Sequence, residues 1–398
     1  MAFLHGLEAF TLDTGPRPIS VVRSGVIGLI GTAPDADATA FPLNTPVLIA
    51  GNRTEAALLD TVGDGSGTLP DAIDDIFDQC GAVVVVIRVE EGVDETATMT
   101  NLVGGIDAGT GAYQGVHALL AAESVTGVVP RILCVPGFTG QRPGDLANPV
   151  VSEMIGIAER LRAMIYADGP DTVDADALTW RGDFGSKRVF VCDPGVKVFV
   201  DGAYVNRPNS ARVAGVRAKL DADGTRGFWW SISNNIINGI GGTTRDIDFT
   251  LWDQNCRANL LNEAEVATIV RQDGFRIWGN RTCSDDPLWA FEAHVRLDDM
   301  ILESLLRAHL WAVDRNITKT YAEDVTEGVN NFLRYLARGN NPAISGGKCW
   351  FDPEMNTKDT MDAGQAYFNF DYGRYGVAER VTFAAQINND YTVEAIFG

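Results

Sequence analysis

The stretch Ala82-Val83-Val84-Val85-Val86-Ile87-Arg88-Val89 decides the fold class of this chain of 398 residues. Its side chains are almost all apolar and β-branched, without the alternation of a strand that faces water on one side. A continuous run of this kind is typical of a strand that is covered on both faces. It therefore predicts a buried sheet with other elements packed above and below it.

The chain before this run predicts two further strands at 21–32 and 46–50, and an amphipathic helix at 69–79. After the run, strand and helix patterns alternate. The predicted strands are 131–136, 163–167 and 187–192, and the predicted helices are 114–123, 149–163 and 209–221. The turn Asp193-Pro194-Gly195 predicts a hairpin between 187–192 and 196–200. The alternation predicts an α/β domain with a largely parallel sheet over residues 90–270.

From residue 266 the pattern changes to that of an α+β unit. Residues 267–270 and 275–278 predict a strand pair across Asp273-Gly274. The other elements predicted there are a strand at 288–294, helices at 296–313 and 321–337, a loop at 340–347 and a strand at 366–371. The chain is thus expected to combine an α/β domain with an α+β domain.

The last stretch, 378–398, alternates with a period of two. Val381, Phe383, Ala385 and Ile387 share one parity and polar residues lie among the other positions, which is the pattern of a half-buried strand. An amphipathic strand needs a partner, because an unpaired one would template aggregation. The pattern leaves two alternatives open: a last strand of the chain's own sheet, or a strand donated to a neighbouring copy.

The N-terminus carries a shorter feature of the same kind. Glu8, Phe10 and Leu12 share one parity, and the segment 14–18 (Thr-Gly-Pro-Arg-Pro) then interrupts the chain. Proline holds such a joint extended and removes backbone donors. We expect an extended arm at each end of the chain.

The composition narrows the class of function. The formal net charge is −21, from 53 acidic and 32 basic residues, which argues against general nucleic-acid binding. The six cysteines are widely spaced and lie mostly in apolar surroundings, so buried free thiols in a reducing compartment are expected. The chain shows no signal-peptide pattern and no apolar run of about 20 residues. We therefore expect assembly in the cytoplasm without insertion into a membrane.

The motifs of common catalytic sites are not present. No pair of the four histidines has HxxxH spacing, and the sequence around Gly346-Gly347-Lys348-Cys349 lacks the glycine and hydroxyl positions of a phosphate-binding loop. No Gly-x-Ser-x-Gly elbow occurs. We therefore predict no catalytic, cofactor-binding or metal-binding residue, and a protein that is not an enzyme.

Several strings resemble those of the contractile tail sheath proteins of phages and phage-like particles such as R-type bacteriocins, over nearly the whole chain. The strings are Thr14-Gly15-Pro16-Arg17-Pro18-Ile19, Ser24-Gly25-Val26-Ile27-Gly28-Leu29-Ile30-Gly31-Thr32-Ala33, Phe41-Pro42-Leu43-Asn44-Thr45-Pro46-Val47-Leu48-Ile49, Gly227-Phe228-Trp229-Trp230-Ser231-Ile232-Ser233-Asn234 and Phe275-Arg276-Ile277-Trp278-Gly279-Asn280-Arg281-Thr282.

The resemblance implies a core domain built from both chain ends, with an inserted α/β domain of subtilisin-like topology that is not catalytic. The implied division is an N-terminal arm at 1–20, core at 21–90, the inserted domain at 91–270, core at 271–377 and a C-terminal β arm at 378–398. It also implies that subunits stack as six-fold rings around a tail tube and that their arms add strands to neighbours' sheets. The implied partners are further copies of the chain, the tube, the baseplate and the tail terminator.

The contact with the tube must allow sliding, and three cations in the C-terminal unit are candidates for it: Lys319, Arg334 and Arg338. Ordinary surface charges or partners of a helix C-terminus explain the same residues. Two other functions stay open at this point. One is a homo-oligomeric binding module without contraction, and the other is a subtilisin-like hydrolase, for which His117 is the histidine within the middle domain.

Overall fold

The structure, a computed structural model, describes residues 19–397. The strands are β1 (Val26–Thr32), β2 (Val47–Ala50), β3 (Val83–Val89), β4 (Gly105–Ile106), β5 (Tyr113–Gln114), β6 (Ile132–Cys134), β7 (Met164–Asp168), β8 (Val189–Cys192), β9 (Val196–Val200), β10 (Ala203–Arg207), β11 (Gly242–Thr243), β12 (Thr268–Arg271), β13 (Phe275–Trp278), β14 (Ile344–Phe351) and β15 (Phe368–Arg374). The helices are α1 (Arg53–Ala56), α2 (Leu69–Phe77), α3 (Glu95–Val103), α4 (Ala122–Thr126), α5 (Pro149–Leu161), α6 (Asp174–Gly182), α7 (Ser210–Asp221), α8 (Arg257–Glu263), α9 (Glu292–Ala308), α10 (Lys319–Leu336), α11 (Lys358–Asp362) and α12 (Asp390–Phe397).

A six-stranded sheet of order β2-β3-β1-β6-β7-β8 forms the centre of the α/β part. The pairs β1–β3, β1–β6, β6–β7 and β7–β8 are parallel, and only the edge strand β2 pairs antiparallel, with β3. The predicted, largely parallel sheet is therefore confirmed. The apolar run at 83–89 is β3, which lies between two other strands and between two helical layers.

Helices cover both faces of this sheet. On one face α2 and α7 pack on Ile27, Leu29 and Val84, and on the other α3, α5 and α6 pack on residues such as Leu133 and Ile165. The central strand β1 admits this close packing because it contains glycine. A Cβ atom at Gly28 would lie 2.8 Å from Leu119 Cδ2 and 2.9 Å from Leu133 Cδ2, which is shorter than real contacts allow.

The boundary expected between residues 90 and 91 does not separate two sheets. β3, which ends at Val89, pairs with β1, and β1 pairs in turn with β6 on the other side of that boundary. Residues 26–89 and 132–192 thus share one hydrophobic core. Strand pairing between segments distant in sequence thus joins two parts of the chain that the resemblance assigns to different domains.

The hairpin expected across Asp193–Gly195 does not form. The free edge of β8 is occupied by Ala267, whose amide donates to Val191 O (3.0 Å) and whose carbonyl accepts from the Asp193 amide (2.9 Å). β9 instead pairs with β10 and β11 in a small antiparallel sheet. The predicted pair β12–β13 is confirmed as antiparallel.

The C-terminal unit packs α9 and α10 against the antiparallel pair β14–β15 around a separate apolar cluster. The N-terminal residues Ile19, Val21 and Val22 pack on the same cluster, and the Val22 amide donates to Ser304 Oγ of α9 (3.3 Å). Residues from both ends of the described chain therefore contribute to this unit.

Two predictions in this unit are wrong. Residues 287–289 form a 3-10 helix and α9 begins at Glu292, so the strand expected at 288–294 is absent. The loop expected at 340–347 overlaps β14, which starts at Ile344. Gly347, the last residue of the expected loop, lies close to β15 and α10. A Cβ there would approach Asp371 O to 2.5 Å, so the strand requires glycine at this position.

A buried network of charges joins the two units. Arg217 of α7 contacts Asp221 (2.8 Å) and Glu292 (3.4 Å), and Arg296 contacts Glu292 (3.5 Å) and Asp221. All four side chains are at most 2% exposed. Pairing compensates charges that would otherwise be costly to remove from water. The four side chains, which pair with one another, therefore hold α7 and α9 together.

The six cysteines are free thiols, five of them buried, as the sequence suggested. Within residues 19–397, no helix has both the length and the apolar character needed to cross a bilayer.

Candidate subunit interface

The C-terminal arm is attached to the body of the protein at two points. The carbonyl of Tyr375 accepts a hydrogen bond from His294 Nε2 (2.9 Å). Glu379 then forms a bidentate ion pair with Arg281, with distances of 2.9 Å to Nε and 2.7 Å to a terminal nitrogen. We call these two contacts the arm root. Because both are made by residues 375–379, the chain leaves the protein surface in a defined place and direction.

Beyond the arm root the chain has no regular structure up to residue 389. Phe383 and Ile387 are 91% and 92% exposed, Val381 is 65% exposed, and Ala385 is also exposed. Contiguous exposed apolar side chains are typical of sites at which proteins interact with other molecules. The strand expected at 378–388 is thus not formed within this chain.

The prediction that the strand continues to the end of the chain is wrong, because Asp390–Phe397 forms the helix α12. The Asn388 side chain accepts from the Asp390 amide (2.9 Å) where this helix starts. A helix satisfies its own backbone groups, whereas a strand needs a partner. With no partner strand beside it, the end of the chain takes the locally satisfied form.

The N-terminal arm residues Glu8, Phe10 and Leu12 lie outside the described residues. Their role as an inter-subunit strand remains a prediction from the sequence.

A sheet of two strands, β14 and β15, lies at the surface of the C-terminal unit. Among residues 19–397 no third strand pairs with either of its outer edges. A two-stranded sheet is marginal by itself, and its unpaired backbone groups can accept a strand from elsewhere. The structure therefore shows an unpaired apolar segment and, in the same unit, a sheet of only two strands among the described residues.

The three predicted tube-facing cations do not form one patch. Lys319 begins α10 and forms an ion pair with Glu323 (3.7 Å), with 88% of its side chain exposed. Arg334 lies in the last turn of the same helix and pairs with Glu327 (2.5 Å), and Arg338 is exposed just beyond it. Fifteen residues of helix separate Lys319 from Arg334 by about 22 Å. Only Arg334 and Arg338 remain close enough to act together.

A cleft of about 290 Å³ lies at the carboxyl ends of β6, β7 and β8, where α/β proteins often place their active sites. Its buried carboxylate, Asp168, accepts hydrogen bonds from Ser210 Oγ (2.8 Å) and from the amides of Asn209 (2.8 Å) and Ser210 (2.7 Å). Burial raises the pKa of Asp168, and these hydrogen bonds oppose the shift.

His117, the histidine considered for a hydrolase, does not contact Asp168. Its Nε2 lies 2.8 Å from a carboxylate oxygen of Glu153. The hydrogen bonds of Asp168 come from backbone amides and hydroxyl groups, so its carboxylate does not orient an imidazole as the triad of a serine protease does. Asp168 instead fixes the N-terminus of α7 to the end of β7.

Sequence comparison decides the family. The phage tail sheath protein central domain matches residues 111–283, the N-terminal region of domain III of tail sheath protein Gp18 matches 24–89, and the phage tail sheath C-terminal domain matches 284–388. A prophage major tail sheath protein of Pseudomonas aeruginosa is 39% identical, covering 100% of this chain and 99% of the relative. The chain belongs to the phage tail sheath family. It is a structural subunit of a contractile sheath.

Further relatives agree with this family. The tail sheath protein of Escherichia phage P2 is 36% identical, covering 98% of this chain and 97% of the phage protein. The fold is also that of solved sheath structures. The sheath complex of an extracellular contractile injection system (PVC) in the contracted state gives a TM-score of 0.69 at 16% identity, over 98% of this chain and 100% of that one. The contracted helical sheath of the anti-feeding prophage gives 0.68 at 18% identity, with the same coverage.

The residues of the arm root were not found from the sequence of this sheath subunit. Arg281 and Glu379 lie 98 positions apart, and although Arg281 belongs to one of the strings that resemble the family, nothing in that string indicates a partner near the C-terminus. Only the alternating pattern that starts after residue 379 marked the place where the arm begins.

Proposed function

We propose that the protein polymerises as stacked six-subunit rings around a tail tube, and that contraction of this sheath drives the tube through the envelope of a target cell. In this proposal the terminal arms complete the β-structure of neighbouring copies. Assembly takes place in the cytoplasm of the bacterial host, on the tube and between the baseplate and the tail terminator. Energy is stored when the sheath assembles, so no nucleotide is needed.

The observation that carries this proposal is the unpaired apolar segment at 381–387 in a chain that also holds an incomplete sheet, β14–β15. Ordering a backbone residue costs about 1–2 kcal/mol, so the arm of an isolated subunit has no reason to become ordered. Burial of a large apolar side chain returns about 1.5–3 kcal/mol, and a neighbour's sheet supplies hydrogen bonds in addition. Ordering of the arm is therefore coupled to assembly.

The body of the subunit is suited to move relative to neighbouring subunits without a change of its own fold. The α/β part and the C-terminal unit share the buried charge network around Arg217 and Glu292, so we infer that they move as one body. The arms are then the flexible connections, which keep copies joined while the bodies rotate and slide. In this proposal residues 91–270 form the inserted domain of subtilisin-like topology, without catalysis, and share their sheet with residues 26–89.

The test is to weaken the arm and image the product. We expect the triple variant Val381→Ser, Phe383→Ser, Ile387→Ser to stay folded and monomeric and to form no striated cylinders in electron micrographs. A matched control, Val62→Ser, Leu146→Ser, Leu251→Ser, removes apolar residues that are 68–73% exposed elsewhere and should leave the cylinders intact. Cylinders formed by the arm variant would refute the proposal, and an arm variant that cannot fold would place the segment in the protein's own core.

A further inference from the structure

Two positive charges converge on the ring of Trp289, which is partly exposed. Lys187 Nζ lies 4.3 Å from the centre of this ring, and Arg374 Cζ lies 5.2 Å from it. A cation over an indole ring is attracted by the negative face of the ring. Lys187 comes just before β8 and Arg374 ends β15, so residues from both units of the fold meet here. We call Lys187 and Arg374 the cation pair.

The cation pair has no carboxylate partner in the part of the chain that the structure describes. Neither side chain forms an ion pair or a hydrogen bond there, and one terminal nitrogen of Arg374 is enclosed without an acceptor. Two carboxylates of α9 in this region have other partners. Asp298 accepts from the hydroxyl group of Tyr372 (2.6 Å), and Asp299 pairs with Arg188. In a chain of net charge −21, two neighbouring cations are thus left uncompensated.

The segment Glu90-Glu91-Gly92-Val93, which we call the acidic loop, has the opposite character. Both glutamates are exposed, and within residues 19–397 their side chains form neither an ion pair nor a hydrogen bond. Val93 is 100% exposed. The other adjacent carboxylates there each include a side chain with an ion pair or a hydrogen bond: 74–75, 94–95, 285–286, 298–299 and 323–324. The acidic loop therefore offers two unpaired carboxylates beside one exposed apolar side chain.

The backbone of the acidic loop is fixed although its side chains are exposed. The carbonyl of Glu90 accepts from Asn101 Nδ2 (2.9 Å), and the amide of Gly92 donates to Thr98 Oγ1 (3.0 Å). A Cβ atom at Gly92 would lie 2.5 Å from the Thr98 nitrogen, so glycine allows the loop to lie directly on α3. A binding surface that is already ordered loses less entropy when a partner binds.

The acidic loop and the cation pair lie at opposite ends of the central sheet. Strands β3, β1, β6, β7 and β8 run parallel, and their register places Val85 of β3 level with Val189 of β8. Glu90 follows the last residue of β3, whereas Lys187 comes just before β8. At about 3.3 Å per residue and about 4.8 Å between strands, Glu90 and Lys187 are about 30 Å apart. They therefore cannot meet within one copy.

We propose that the acidic loop of one copy binds the cation pair of a second copy, with Glu90 and Glu91 facing the two cations and Val93 against the ring of Trp289. This inference rests on the proposed function. The contact joins two different surfaces of identical copies, so each copy keeps one free acidic loop or one free cation pair. Such a contact continues into a ring or a helix and does not stop at a dimer.

The contact joins the bodies of neighbouring copies and does not involve their arms. Ion pairs that remain partly exposed are individually weak. The contact therefore does not hold two copies together without the arms, but it sets which surfaces of the bodies face each other. A weak contact of this kind can also be released when the bodies rotate and slide.

The first experiment reverses the charges on each side and then on both. Lys187→Glu with Arg374→Glu, or Glu90→Lys with Glu91→Lys, should raise the lowest concentration of full-length protein that forms cylinders about tenfold. The variant with all four substitutions should return nearly to the parent value, because the charges are again opposite. Asp201→Lys with Glu263→Lys is the matched control, since it reverses two other exposed carboxylates without ion pairs.

The fold of each variant is checked by its melting temperature in the monomeric arm variant. If Lys187→Glu with Arg374→Glu lowers that temperature, Lys187→Gln with Arg374→Gln takes its place and should raise the required concentration in the same direction. Folded charge variants that form cylinders as readily as the parent would overturn the contact. Two impaired double variants whose combination stays impaired would overturn the choice of the acidic loop as the occupant.

The second experiment is cross-linking in cylinders with a short bismaleimide. Lys187→Cys and Glu91→Cys in one chain should give a ladder of covalent multimers, and a mixture of the two single variants should give dimers only. Five of the six native cysteines are buried, and the parent protein measures the background. A double variant that gives dimers only, or no cross-link in well-formed cylinders, would overturn the head-to-tail contact alone. A parent protein that forms no cylinders would overturn the proposed function and this contact with it.

Discussion

The hydroxyl group of Tyr166 donates a hydrogen bond of 2.6 Å to Glu292, a residue 126 positions later in the chain. Tyr166 lies in β7 and Glu292 at the start of α9, so this contact connects the parallel sheet with the C-terminal unit. Burial raises the pKa of Tyr166 well above its ordinary value, and the neighbouring carboxylate of Glu292 raises it further. The tyrosine therefore stays protonated and acts as a permanent donor to Glu292.

Breaking this joint should destabilise the protein strongly. Arg217→Met leaves the carboxylates of Asp221 and Glu292 without one of their buried partners, and we expect a loss of about 3–5 kcal/mol in the free energy of unfolding. Tyr166→Phe removes one hydrogen bond to a charged group, and about 1.5–3 kcal/mol should be lost. Urea unfolding of the monomeric arm variant measures both values. Tyr204→Phe, at a residue that is 62% exposed, is the control and should change little. Losses below about 1 kcal/mol for Arg217→Met would mean that the network does not hold the units together.

The arm root should matter for assembly more than for stability. Arg281 and Glu379 are 36% and 35% exposed, and pairs of this kind contribute about 0–1 kcal/mol. Arg281→Ala should therefore leave the melting temperature nearly unchanged but slow the formation of cylinders, because the arm leaves the body in more directions. Arg53→Ala, which removes a more exposed pair with Asp74, serves as the control in the same light-scattering assay. Equal rates for the two variants would contradict a directing role of the arm root.

The cations at the end of α10 give a separable prediction about the tube. Arg334→Glu together with Arg338→Glu should abolish co-assembly on purified tubes and spare cylinders that form without a tube. Lys319→Glu reverses one positive charge on the same helix, about 22 Å from Arg334, and should leave co-assembly intact. Sedimentation of mixtures of sheath and tube tests both. If the double variant still co-sediments with tubes, these two arginines do not face the tube.

His294 should make a small part of the stability depend on pH. Burial lowers its pKa below the ordinary value of 6.5, and the hydrogen bond to Tyr375 O only partly offsets this. The unfolded chain then takes up a proton at a higher pH than the folded chain, so this contribution is complete above about pH 6.5 and decreases as the pH falls through that value. We expect an imidazole pKa below 6.5 in an NMR titration. His294→Gln retains a donor but does not titrate, and it should remove this part of the pH dependence. A measured pKa above 6.5 would contradict the prediction.

The sequence predicted best those elements whose burial is nearly complete. β3 and α5 were recognised because their apolar patterns are strong and local, and the parallel sheet followed from the alternation of strands and helices. The position of residues 26–89 within the same sheet was missed. Strand order is decided by packing between distant segments, which a local pattern does not contain.

In both errors near the C-terminus, the conformation depends on packing or pairing that the local sequence pattern does not contain. β14 contains adjacent glycines that normally interrupt a strand, yet the close approach of Asp371 requires Gly347 there. The arm has a clear strand pattern, yet a strand can form only when its partner is present. The alternation over 381–387 therefore does not decide the conformation of the isolated subunit, in which these residues form no strand.

The fixed position of Glu379 on Arg281 has a geometric consequence for the polymer. Ten residues, 380–389, follow this anchor before α12 begins, and fully extended they reach about 33 Å, at about 3.3 Å per residue. In the proposed sheath, that reach limits how far two copies joined by an arm can separate before the arm must detach. Any path between a long and a short form of the sheath has to keep each anchor within this radius of the edge it serves.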